Sequence, residues 1–137
     1  MALEQNVSWS EIESMIKALA KKISNSSRTY SSITTLSRGG LVPSRLLADH
    51  LGIKKILVDK KSISSNSLFV DDIFDTGDTF AKILPKVDNP SKLTFVTLFV
   101  RREKKYPKQL IYAKKTASKQ GYVVFPWDRF EFQRSKK

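Results

Sequence analysis

The chain contains no cysteine. That excludes disulfides and thiolate metal sites and points to a reducing compartment. No stretch approaches the roughly 18 consecutive apolar residues that a membrane span needs. The opening 1-MALEQNVSW-9 lacks the basic-then-apolar form of a secretory signal, so the cytoplasm is the expected location. Histidine is represented only by His50, which falls near a predicted helix end and reads as a structural or surface residue. Acidic residues are also few, 13 against 25 lysines and arginines, for a formal net charge of +12. Such an excess favours anionic partners, whether nucleic acid, acidic lipid or phosphorylated small molecules, without choosing among them. The densest basic runs, 101-RREKKYPK-108, 114-KKTASK-119 and 134-RSKK-137, read as solvated loops and a tail.

What is present suffices for one domain. The chain has 137 residues, 40% apolar and 28% charged, enough to bury a core without covalent staples. The segment 10-SEIESMIKALAKKI-23 has the apolar spacing of an amphipathic helix, with Ser10 and Glu13 at capping-box distance. A polar loop, 24-SNSSRTYSS-32, leads to a short strand, 33-ITTLS-37, then the paired glycines of 38-RGGLVP-43. A helix over 44–51 follows, with Gly52 as its C-terminal cap. Strands are expected at 54–59, 68–72 and 92–100, and weaker ones at 109–113 and 121–125, with a helix at 79–86. The alternation predicts a single α/β domain with a mostly parallel central sheet of about five strands flanked by helices. In such sheets ligands bind where strands meet the following loops. The two unusual loops, 37-SRGG-40 and 71-DDIFDTGDT-79, both lie there.

The second loop raises a question, because Asp71, Asp72, Asp75 and Asp78 concentrate negative charge in a cationic chain. The turn Asp75, Thr76, Gly77, Asp78, Thr79 enters a predicted helix, so backbone amides and hydroxyls there can cradle a phosphate. It lacks the spacing and the lysine of a P-loop. Asp71 and Asp72 close the preceding strand, with side chains on alternate faces. They suit ribose hydroxyls or a hydrated magnesium ion, which prefers oxygen ligands. Two carboxylates followed by a phosphate cradle describe a sugar-phosphate site.

The full segment 68-LFVDDIFDTGDT-79 resembles the phosphoribosyl pyrophosphate signature of type I phosphoribosyltransferases. The stretch 37-SRGGLVPSRLLADHLG-52 resembles the pyrophosphate loop and following helix of the bacterial xanthine-guanine phosphoribosyltransferases. The segments 7-VSWSEI-12, 95-FVTLFV-100 and 126-PWD-128 are similar to that subfamily in the same order. The resemblance spans residues 7 to 128 and leaves 129–137 as a basic tail.

The resemblance implies transfer of ribose 5-phosphate from phosphoribosyl pyrophosphate to a purine base, here a 6-oxopurine (guanine, xanthine or hypoxanthine), with magnesium as cofactor. Asp71 and Asp72 would hold the ribose hydroxyls and the metal, and residues Asp75 to Thr79 the 5′-phosphate. Asp75 would also be the catalytic acid/base facing the purine N7. Ser37, Arg38, Gly39 and Gly40 would hold pyrophosphate, with a cis peptide expected at Leu36–Ser37. Base contacts would come from Arg101, standing where the subfamily has a lysine, from the stacking aromatic Tyr122 and from Val123. The family's homodimers or homotetramers are the implied assembly, with no membrane or nucleic-acid partner. Two departures stand out. A subfamily acid is replaced by Val124, and the long flexible lid loop is reduced to 60-KKSISSNS-67. The shortened loop keeps an alternative open, a non-enzymatic nucleotide-sensing regulator that binds nucleic acid.

Overall fold

The computed structural model describes residues 4–135. Short β1 (Glu4–Asn6) leads into α1 (Trp9–Ser24), then β2 (Ser32–Thr35), α2 (Leu41–Leu51), β3 (Ile56–Val58) and β4 (Ser67–Phe74). After these come α3 (Asp78–Ile83), two single 3₁₀ turns, β5 (Thr94–Val100), β6 (Leu110–Lys115), β7 (Tyr122–Val124) and α4 (Arg129–Ser135). Five strands form a parallel sheet in the order β3-β2-β4-β5-β6. Among the described residues, no helix is long and apolar enough to cross a membrane.

The sheet is covered on both faces, so its central strands carry apolar residues almost without alternation. All seven residues of β5 are buried. Leu68 and Val70 pack with Ile16, Leu19 and Leu47 of α1 and α2. Phe69, one step along β4, packs on the opposite side with Ile83 and Phe95, and its ring stacks on Phe95 at 5.0 Å. A parallel arrangement exports every strand end to one edge, and the loops after β2, β4 and β5 meet there.

Several boundaries differ from expectation. The cap of α1 is Ser8, not Ser10; its hydroxyl accepts from the Glu11 amide at 3.1 Å. Both serines have a glutamate three residues on, and the earlier start lets Trp9 lie against Trp127, ring centroids 5.8 Å apart. Helix α2 begins at Leu41, ahead of Pro43; proline fits a first helical turn because the amide it lacks has no partner there anyway. Gly52 does cap it, at φ 69°. Two elements escaped the sequence pattern. β1 pairs in parallel with β7 as a separate two-stranded sheet, and α4 occupies residues 129–135 of the stretch read as a tail, whose last two residues lie outside the described ones.

Candidate active site

The register of the sheet builds the site. Phe74 of β4 pairs with Val100 of β5, and the Arg101 amide donates to the Phe74 carbonyl at 2.8 Å. Asp75 and Arg101, 26 positions apart, therefore leave the sheet side by side. They form a two-pronged ion pair, Nε to Oδ1 at 2.9 Å and Nη2 to Oδ2 at 3.0 Å. The Arg101 side chain is only 11% exposed, against 49% for Asp75. Its Nη1 also reaches the Ser118 carbonyl at 3.5 Å. The acid/base candidate and the base-contact candidate are thus one unit.

Asp71 and Asp72 end in different directions but remain electrostatically joined. Asp71 Oδ1 accepts from the Asp72 amide at 2.9 Å, and Asp72 Oδ1 from the Ile73 amide at 2.8 Å. Burial pushes the Asp71 carboxyl above its ordinary range, with hydrogen bonds from Asp72 and Thr79 opposing. Burial, then the adjacent Asp71 charge, pushes Asp72 up to about 7. Neither carboxylate has a lysine or arginine within ion-pair distance among the described residues. Two buried, repelling oxygen donors fit a hydrated divalent cation or a ribose diol. A complete protein cage does not form: no three metal-ligating side chains converge among the described residues.

The turn after β4 encloses a cavity of about 220 Å³ bounded by Asp71, Thr76, Gly77, Asp78, Thr79 and Phe80 among others. Gly77 has φ 90°, and a Cβ there would sit 3.2 Å from the Phe74 ring, so glycine meets both a backbone and a steric need. Asp78 is exposed as the first residue of α3, and its amide donates to Thr76 Oγ1 at 3.2 Å. A separate cavity of about 470 Å³ joins Asp72, Asp75 and Arg101 to Tyr122, Val123 and Asp128. Tyr122 is 52% exposed, and its ring contacts Phe132 of α4 at 4.8 Å.

The loop expected to hold pyrophosphate follows β2. Its cis peptide is Ser37–Arg38, one bond later than expected. Gly39 and Gly40 permit close approach: a Cβ on Gly39 would lie 2.8 Å from Asp72 Oδ2, and one on Gly40 2.7 Å from the Val70 carbonyl. Ser37 gives both its amide, at 2.9 Å, and its hydroxyl, at 2.6 Å, to Asp59. Arg38 Nη2 reaches Glu131 Oε2 of α4 at 3.0 Å, across a cavity of about 640 Å³ that also touches Leu41, Trp127 and Arg134.

Three residues at the site had no role in the sequence reading. Asp59 and Glu131 are brought in by long-range folding. Asp128 was visible only within the PWD triplet; burial, then Asp72 and Glu131, raise its carboxyl to about 6. The segment 60–66 is not draped over the site. Ile63 is 3% exposed and exchanges backbone hydrogen bonds with Lys86 and Asp88, while Ser65 donates to Asp88 and its carbonyl accepts from Arg28.

No protein-family profile matches the chain. A xanthine-guanine phosphoribosyltransferase from Chromohalobacter salexigens is 28% identical over 89% of this chain and 82% of its own length. The Helicobacter pylori xanthine-guanine-hypoxanthine phosphoribosyltransferase superposes with a TM-score of 0.75 at 16% identity, covering all of both chains. A purine phosphoribosyltransferase from Pyrococcus horikoshii gives 0.71 at 23% identity, over 90% of this chain and 93% of its own. Sheet order and these superpositions show the fold shared by the purine phosphoribosyltransferases, a class of glycosyltransferases. Within that class its likeness is to the xanthine-guanine phosphoribosyltransferases.

Proposed function

We propose that this chain transfers ribose 5-phosphate from phosphoribosyl pyrophosphate to a 6-oxopurine. The observation that carries the base assignment is the Asp75–Arg101 pair. Arg101 Nη2 and Asp75 Oδ2, 3.0 Å apart, offer a donor beside an acceptor on the wall of the 470 Å³ cavity. A 6-oxopurine carrying its proton on N7 presents the complement, a carbonyl acceptor beside an N–H donor. Adenine presents an amino donor at position 6, which would face a guanidinium with no lone pair to accept it.

In the reaction the ribose C1–O bond to pyrophosphate breaks and a C1–N bond to the base forms. The base proton passes from N7 to the Asp75 carboxylate, and pyrophosphate departs with the C–O electron pair. Asp71 and Asp72 bind the ribose hydroxyls, the 75–79 turn holds the 5′-phosphate, and Arg38 with the glycine amides holds pyrophosphate. Tyr122 stacks on the base beside Val123. A magnesium ion at Asp71 and Asp72 would neutralise charge on the leaving pyrophosphate. The same reading sets the chain in cytoplasmic purine salvage, as a homodimer or homotetramer. The comparisons lend no support to the nucleic-acid-binding regulator.

A steady-state assay with phosphoribosyl pyrophosphate, magnesium and five bases tests this. Guanine, xanthine or hypoxanthine should yield nucleotide, and adenine and uracil should not. Preference for adenine would overturn the base assignment. Arg101→Ala should raise the KM for the base roughly tenfold or more, in line with about 1–3 kcal/mol for a good bidentate base contact. The KM for phosphoribosyl pyrophosphate should change less; equal effects on both substrates would remove Arg101 from the base site.

A further inference from the structure

Asp59 stands just past the end of β3, where the parallel pairing of Thr35 with Val58 closes. Its amide donates to the Thr35 carbonyl at 3.0 Å, extending the ladder by one step. Its backbone then turns left-handed, with φ 54°, a conformation uncommon outside glycine though better tolerated by aspartate than by most residues. The turn aims the carboxylate back at Ser37, the first residue of the pyrophosphate loop, and each oxygen accepts one hydrogen bond, from the amide and from the hydroxyl. Those bonds, first the hydroxyl and then the amide, hold the carboxyl below its ordinary range.

The far side of the same loop is fixed by contact, since Gly39 lies against Asp72 and Gly40 against the Val70 carbonyl. The loop is therefore wedged between Asp59 and the end of β4. Ser37 gives its side-chain and amide donors to Asp59. An anion entering the loop meets Arg38 and the Gly39 and Gly40 amides, whose aim depends on where Ser37 is held.

We propose that Asp59 is a positioning residue for pyrophosphate: it anchors Ser37 so that Arg38, Gly39 and Gly40 face the leaving group. The inference rests on the transferase reading of that loop. On this reading Asp59 acts through Ser37.

Two substitutions separate its hydrogen bonds from its backbone shape. Asp59→Gly removes the carboxylate while permitting the left-handed backbone. Asp59→Asn tolerates that backbone and keeps one oxygen to accept from the Ser37 amide. Calorimetry with inorganic pyrophosphate, together with steady-state kinetics on both substrates, gives the readout. Asp59→Gly should weaken pyrophosphate binding and raise the KM for phosphoribosyl pyrophosphate by up to about 10²-fold, the scale on which small misplacements of binding groups act. The KM for the base should stay within about twofold, and Asp59→Asn should recover most of the loss. Unchanged or tighter pyrophosphate binding in Asp59→Gly would overturn the inference while leaving the transferase reading intact. So would a parallel rise in both KM values, or an Asn variant as impaired as the Gly variant. A wild-type chain that binds neither pyrophosphate nor phosphoribosyl pyrophosphate would instead remove the transferase reading, and this inference with it.

Discussion

Asp75→Asn should lower turnover about 10²- to 10⁴-fold, the usual contribution of a positioned acid/base group, while phosphoribosyl pyrophosphate still binds. Asn keeps the size and one acceptor oxygen but cannot take the N7 proton at neutral pH. It also breaks the two-pronged pair at Arg101, whose side chain is 11% exposed. A cation that far from water loses its counter-charge, so the variant should also melt at a lower temperature. Calorimetric titration with phosphoribosyl pyrophosphate and a melting curve separate the two effects. If turnover survives within a fewfold of the wild type, Asp75 is not the acid/base. If binding of phosphoribosyl pyrophosphate collapses as well, the lost charge acts on the whole site and not on one proton.

The second large effect concerns stability. Asp72 carries a folded-state pKa of about 7 because it is buried beside Asp71, against about 3.9 in an unfolded chain. The folded protein therefore holds the proton more tightly than the unfolded one. The sign follows: stability is full below about pH 4 and declines as pH rises to about 7, with a total loss of up to about 4 kcal/mol at 1.36 kcal/mol per unit. Asp72→Asn removes that loss. With a chelator present, the variant should melt several degrees higher than the wild type at pH 8 and show a flatter dependence between pH 4 and 7. Turnover should fall sharply at the same time, since on the proposed reading the buried charge would serve the ribose and a metal. A variant that melts no higher than the wild type at pH 8 would mean that Asp72 carries no such burden.

Much of this was legible in the sequence, and the pattern of success has a physical cause. Strands β4 and β5 are buried on both faces, so 68-LFV-70 and 94-TFVTLFV-100 are apolar without interruption and hard to misread. The glycine-containing turns announced themselves because glycine at Gly39, Gly40 and Gly77 meets close approach or a positive φ. What stayed hidden depends on contacts between distant segments. β1, with the sequence EQN, has no apolar signature and is a strand only because β7 lies alongside. α4 mixes two phenylalanines with charged residues over one short span, and a composition rule sees only a basic tail. The pairing of Asp75 with Arg101 and of Asp59 with Ser37 depends on strand register, which local propensity does not encode. The cis bond fell at Ser37–Arg38, one peptide from the expected position, a shift no residue in the loop advertised.

The pairing of β1 with β7 has a consequence for the order in which the protein is made. Everything that would hold phosphates lies between Ser37 and Thr79, and leaves the ribosome well before Tyr122 and Val123 do. The register Gln5 with Val123 means that residues of β1 wait for residues emerging more than a hundred positions later. Until then β1 has no neighbouring strand, and the cavity beside Asp75 and Arg101 lacks its Tyr122 and Val123 side. On the proposed reading, a nascent chain acquires the loops that would hold the sugar phosphate first, the Asp75–Arg101 pair next, and the Tyr122 and Val123 side of the base cavity last.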